Sequence, residues 1–276
     1  MLLARIVSAF IWLVSECVGI CFFVVFGIRR RVVFKNLEMA FGGAMPWFAK
    51  MRMGKSSVAA FVRTVLEFVF SPLIYPYAEV RFRNLETVTR VLERGKGIYV
   101  LAIHQGNWEL MCHKGGSSVA KLYLALKPVG GPRIAAWVRN RREKNGVHEV
   151  MRDSPVPAWR QINERVSEGA LVGFVMDQRR KKGVVSYLFA KPALTNVSLF
   201  RQWKDCKAPI FPLTIRRTGL LSHEAVFWDE LEVWNEDSAS EEEFYKKNAE
   251  RMNAAVEEMI RWNPNEYFWL HDRWKM

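Results

Sequence analysis

Cysteine is scarce in this 276-residue chain: Cys17, Cys21, Cys112 and Cys206 are the only four, and no two stand at CxxC spacing. That argues against both a zinc ribbon and a disulfide framework, and it suits a reducing compartment. Acidic residues are also in deficit, 28 against 41 lysines and arginines, leaving a formal charge of +13. Such a balance favours anionic partners, whether nucleic acid, acidic headgroups or an acidic carrier protein, and charge alone does not choose among them. Internal repeats and low-complexity tracts are missing, so solenoids and disordered tails are not indicated. No G-x-S-x-G elbow surrounds Ser186, Ser198 or Thr195, which argues against a serine nucleophile.

What the chain does have, first, is a long apolar opening. Ile6 to Ile28 reads IVSAFIWLVSECVGICFFVVFGI, with Glu16 as its one acid. As a helix it would extend roughly 35 Å, against a bilayer core of about 30 Å. Only Arg5 precedes it and Arg29-Arg30-Arg31 follows, without the small-residue exit of a cleaved signal peptide. A retained anchor over 1–32 is expected, spanning or lying in the plane of the membrane, and the basic triplet places the rest of the chain on the cytoplasmic side. Glu16 is the feature that speaks against a plain crossing.

The remainder, 33–276, reads as one α/β domain. Apolar residues recur at helical spacing over Phe34–Phe41 and Ser56–Phe70, the latter closed by Ser71-Pro72. β-like runs begin at Gly97, Lys121, Ala170, Val184 and Pro209, and helical stretches at Arg133–Lys144, Pro157–Glu168 and Thr195–Trp203 fall between them. This alternation predicts a central mixed sheet covered by helices, behind an N-terminal membrane-anchoring helix. Ser240-Glu-Glu-Glu243 forms a capping box for a last helix that ends near Trp262, before Asn263-Pro264.

The run from Gly97 ends in His104-Gln-Gly-Asn-Trp-Glu109. A buried strand therefore delivers His104 to a carboxyl-terminal sheet edge, where ligands bind in open α/β sheets. Gly106-Asn107 makes the turn into a helix, and Glu109 can fold back to a ring nitrogen, as in an acid-oriented general base. Spacing alone serves equally a histidine that caps the strand and a glutamate that favours the helix amino end. Asn107 and Trp108 shape and pack the turn, and Asn107 is within reach of His104 or a substrate oxygen. His113, His148 and His223 lack neighbours for a metal or triad site, while His271 reads as a structural clamp.

A second group, Asp177-Gln178 with the basic turn Arg179-Arg180-Lys181-Lys182 and Gly183-Val184, ends another β-like run. With HQGNWE, the segment Arg139–Gly146 and the ending Asn263-Pro-Asn-Glu-Tyr-Phe-Trp-Leu-His-Asp-Arg-Trp-Lys275, it resembles the bacterial lipid A biosynthesis acyltransferases, the lauroyl and myristoyl transferases of the lysophospholipid acyltransferase group. The likeness extends from about Val33 to Lys275. It implies transfer of a fatty acyl chain from an acyl carrier protein thioester, or acyl-CoA, to a hydroxyl of a membrane glycolipid at the bacterial inner membrane. No metal or redox cofactor and no nucleic acid is implied. His104 would deprotonate the acceptor and Glu109 would orient it, with Asn107, Arg142, Asp177 and Gln178 as substrate-site residues; backbone N–H groups or an arginine would hold the oxyanion. The apolar, aromatic Phe61–Tyr77 region suits core packing first, and otherwise an extended membrane contact or a wall for an acyl chain.

Two departures bear on specificity. Ala190 stands where the family commonly has glycine, and Thr195–Phe200 is bulkier than usual. They leave open a lysophospholipid, an aminolipid or another glycolipid as acceptor. A membrane-tethered binder of nucleic acid or anionic lipid is the non-enzymatic reading of the same charge.

Overall fold

The computed structural model describes residues 1–43, 45–126, 130–151 and 154–276. In chain order the elements are α1 (Leu2–Gly19), continued by a π-helical stretch (Ile20–Val25), then α2 (Arg30–Phe41), α3 (Trp47–Val69), α4 (Ser71–Ile74), β1 (Glu79–Arg83), α5 (Leu85–Leu92) and β2 (Ile98–Ala102). There follow α6 (Trp108–Ser118), β3 (Leu122–Leu124), α7 (Pro132–Lys144), β4 (Val147–Glu149), α8 (Ala158–Ser167), β5 (Leu171–Val175), β6 (Val184–Leu188) and β7 (Lys191–Thr195). The chain closes with α9 (Ser198–Cys206), β8 (Ile210–Arg217), β9 (Ser222–Phe227) and α10 (Glu241–Trp262).

Seven strands form the central sheet in the order β1-β9-β8-β2-β5-β3-β4. Only β8 and β9 pair antiparallel, so the sheet is mixed, as the alternation implied. All five residues of β2 are buried, and they alternate between two apolar layers. Tyr99 and Leu101 join the larger core with α10 and the C-terminal segment, while Ile98, Val100 and Ala102 face the layer under α5 and α6. A strand covered on both faces reads as a continuous apolar run, which is how Gly97–Ile103 reads.

The run from Val184 was expected among the sheet strands and is instead half of a separate hairpin, β6 with β7. Thr195, expected to open a helix, ends β7, and α9 starts at Ser198. Pro192 and Lys191 hid β7 in the sequence, because proline demotes a strand to an edge. The end of the run from Lys121, at Lys127 and Pro128, lies outside the described residues.

Helix α1 is not free of the domain. Ala4, Ser8, Ile11, Ser15 and Gly19, spaced by three and four, form a buried stripe along it. The chain antiparallel to it is α3, since Gly19 meets Ala59 and Lys55 while Arg63 lies against Trp12. Where the π-helical stretch crosses α3, Phe23 fills the place a side chain at Gly54 would need: a Cβ there would stand 2.1 Å from the ring.

Candidate active site

Register explains how the site is assembled. β2 and β5 are parallel neighbours with Ala102 opposite Val175. Two residues further on, where each strand leaves the sheet at its carboxyl end, His104 and Asp177 must emerge side by side, because neighbouring strands run about 4.8 Å apart. The His104 Nδ1 indeed lies 2.8 Å from Asp177 Oδ1, and the His104 backbone N–H donates to Asp177 Oδ2 at 3.1 Å. Two contacts from one residue fix both the carboxylate and the ring.

The Asp177 side chain is buried, whereas the His104 ring keeps a quarter of its surface open. Burial by itself disfavours the imidazolium, but the charge and hydrogen bond of Asp177, helped by the charge of Glu109, outweigh it and raise the His104 pKa above the ordinary histidine value. Burial would push Asp177 upward, and the same partner overcomes that too, holding it below the usual carboxylate range. With Asp177 ionised, Nδ1 carries the proton, and Nε2 is the nitrogen left to accept one from a substrate. Trp108 and Phe268 flank the ring, with centroids 5.2 and 6.1 Å away.

The turn after His104 is held from three sides. Gly106 has φ +60°, and a Cβ there would meet the Ile215 carbonyl oxygen at 2.3 Å, so only glycine fits. Asn107 caps α6, its Oδ1 accepting from the Leu110 N–H at 2.9 Å, and its amide nitrogen donates to the buried Glu67 at 2.5 Å. Glu67 is paired in turn with Arg217 at 2.7 Å. The C-terminal segment binds the same turn: the Phe268 N–H donates to the His104 carbonyl at 3.0 Å, and Gln105 bridges to Tyr267.

Glu109 does not reach back to His104 as expected. Its carboxylate accepts two hydrogen bonds from Arg142, at 2.6 and 3.1 Å, and Arg142 donates a third to Glu149 at 2.7 Å. The first turn of α6 turns Glu109 toward α7 and β4, where a guanidinium fork matches two carboxylates, while the strand register has already placed Asp177 on the histidine. Arg142 is therefore engaged by protein carboxylates, and its pKa is raised, the two glutamates overcoming the cost of burial. Gln178, partly buried, follows Asp177 and leads into the basic turn.

Beside Phe268 lies a cavity of about 350 Å³, lined by Val18 of α1 and Phe22 of the π-helical stretch, Val58, Phe61 and Val62 from α3, and Arg29, Phe268, Leu270 and His271. Its walls are mainly apolar. A lipid chain fits such a lining better than a polar ligand does.

Residues 2–276 match the family model for bacterial lipid A biosynthesis acyltransferases. The chain belongs to that family. No curated protein matches it. Membership makes it an acyltransferase for a lipid A-like substrate.

Sequence reasoning missed Glu67, Arg217 and Glu149, and it gave Asp177 a substrate role without pairing it to His104. Glu67 was hidden in an apolar helix, and the pairing depends on strand order, which no local pattern records. Of the other histidines, His113 contacts the Asn145 carbonyl through Nδ1 at 2.6 Å, and His271 accepts the Arg179 N–H at 3.1 Å through Nε2.

Proposed function

We propose that this acyltransferase moves a fatty acyl chain from an acyl carrier protein thioester to a hydroxyl of a lipid A precursor held in the inner membrane, with His104 as general base. The observation that carries this reading is the His104–Asp177 pair at the sheet edge, its imidazole a quarter exposed and next to Phe268, a residue that lines an apolar cavity. Nε2 takes the hydroxyl proton as the oxygen attacks the thioester carbonyl. The tetrahedral intermediate then collapses, the C–S bond breaks, and the imidazolium returns its proton to the leaving thiolate. Asp177 stabilises the imidazolium. Glu109 acts at one remove, adding its charge while Arg142 holds it in place.

The basic turn Arg179–Lys182, directly after Asp177 and Gln178, supplies cations for acceptor phosphates or for the acidic carrier. The apolar helix Leu2–Val25, long enough to cross a membrane, supports membrane association, with the domain on the cytoplasmic face. Membranes carrying the full chain, supplied with acyl carrier protein thioester and lipid A precursor, provide the test by lipid mass spectrometry. The native chain should add one acyl mass to the precursor and His104→Ala should add none. Transfer retained by His104→Ala would overturn the mechanism, and acylation of a phospholipid alone would reassign the acceptor.

A further inference from the structure

The anchor poses a problem that its packing resolves. Glu16 sits midway along an otherwise apolar helix, and its carboxylate pairs with Lys55 and, at 3.1 Å, with Arg63, both on α3. If α1 crossed the bilayer alone, it would have to leave α3 and take Glu16 unpaired into hydrocarbon. If it crossed while docked, it would carry Lys50, Lys55, Arg63 and Glu67 of α3 into the bilayer core with it. The first crossing strips an unpaired carboxylate of water and the second several charges, each at high cost.

The docked helix is two-faced. Its small-residue stripe is buried on α3, while the opposite side is apolar and open, with Ile6, Phe10, Leu13 and Val25 each more than half exposed. Cations mark both ends of this face, Arg5 at one and Arg29 and Arg31 at the other, all exposed. An apolar stripe bounded by arginines complements the acyl region and the negative headgroups of one leaflet. Val18 and Phe22, near the end of the same helix, wall the cavity that Phe268 also lines, and the Phe268 ring stands 6.1 Å from that of His104.

We propose that the anchor does not span the membrane: α1 lies along the surface of one leaflet, its outer face seated among anionic phospholipids and both its ends on the side of the catalytic domain. This rests on the membrane association proposed above and specifies its geometry. Lipid then reaches the cavity laterally, past the end of the helix that forms its wall.

The test uses the full chain with one epitope tag before Met1 and another after Met276, in bacterial inner membranes. Protease added to sealed inverted vesicles should remove both tags, and protease added to spheroplasts should remove neither. Loss of the first tag only in spheroplasts would overturn the proposal while leaving membrane association intact. In flotation with sealed phosphatidylglycerol–phosphatidylethanolamine vesicles, the native chain should float and the pair Phe10→Asp and Leu13→Asp should lower the bound fraction at least tenfold. A native chain that fails to float would overturn the membrane reading itself. A double variant that floats normally but turns a dimer into a monomer would show that a second copy, not lipid, covers this face, and would also overturn the proposal.

Discussion

At the scale of single residues, the proposed chemistry turns on which carboxylate meets His104. Asp177 raises the His104 pKa against the effect of burial, so a neutral, basic Nε2 becomes available only as pH rises through a value above that of a free histidine. Asp177→Asn removes the larger raising charge and leaves only that of Glu109 against burial. The acid limb of the kcat profile should therefore move to lower pH, while kcat falls by about 10² to 10⁴, measured as initial rates of acyl transfer across pH. An acid limb unchanged in position would assign it to another group. Arg142 belongs to a different kind of interaction. Its side chain, with those of Glu109 and Glu149, is at most 12% exposed, and removing it leaves two carboxylates without their cation. Arg142→Ala should lower stability by about 3–5 kcal/mol, read from denaturant unfolding in detergent.

Elements show where the family pattern was departed from and at what cost. The β6–β7 hairpin pairs Leu188 with Lys191, so its loop is only Phe189 and Ala190, and both have positive φ, 51° and 55°. A two-residue turn of this kind favours glycine or asparagine, because a Cβ crowds the backbone there. This is a physical reason to expect glycine at the position of Ala190. Ala190→Gly should stabilise the protein by about 1 kcal/mol, seen as a raised denaturation midpoint. No change, or a loss, would mean that contacts of the alanine methyl offset the strain. The turn after β2 makes the opposite choice, since at Gly106 the Ile215 carbonyl leaves no room for any side chain.

On the scale of the whole molecule, an excess of positive charge and an exposed apolar helix face act together. On the proposed membrane reading, the formal charge of +13 would draw the protein to anionic surfaces over a Debye length, whereas the apolar face of α1 would hold it there with little dependence on salt. Vesicle binding should therefore weaken with ionic strength yet persist at a plateau, measured by flotation from about 0.05 to 1 M salt. His104→Ala should follow the same curve while losing transfer, which separates catalysis from attachment. Complete release at high salt would reduce the anchor to an electrostatic contact.

Local pattern was enough for the fold class, for most helices and for the sheet's central strands, because burial on both faces makes β2 and β5 continuous apolar runs and capping residues mark α10. It was also enough to bring out His104 and Asp177, since each ends such a run in polar residues. It did not reveal the edge strands β1, which alternates with charge, and β4, which has three residues, or the interior β9, whose Ser222-His-Glu224 start interrupts its apolar pattern. Nor did it reveal the partner of His104. Glu109 was near in sequence, and Asp177 was near in space, 73 residues away. Strand order and parallel register decided between them, just as docking on α3 decided that Glu16 is a paired charge rather than a stray one. Sequence determined which groups stand at the ends of elements, because periodicity and caps are local; the tertiary structure alone decided which of them meet, because pairing depends on contacts between distant segments.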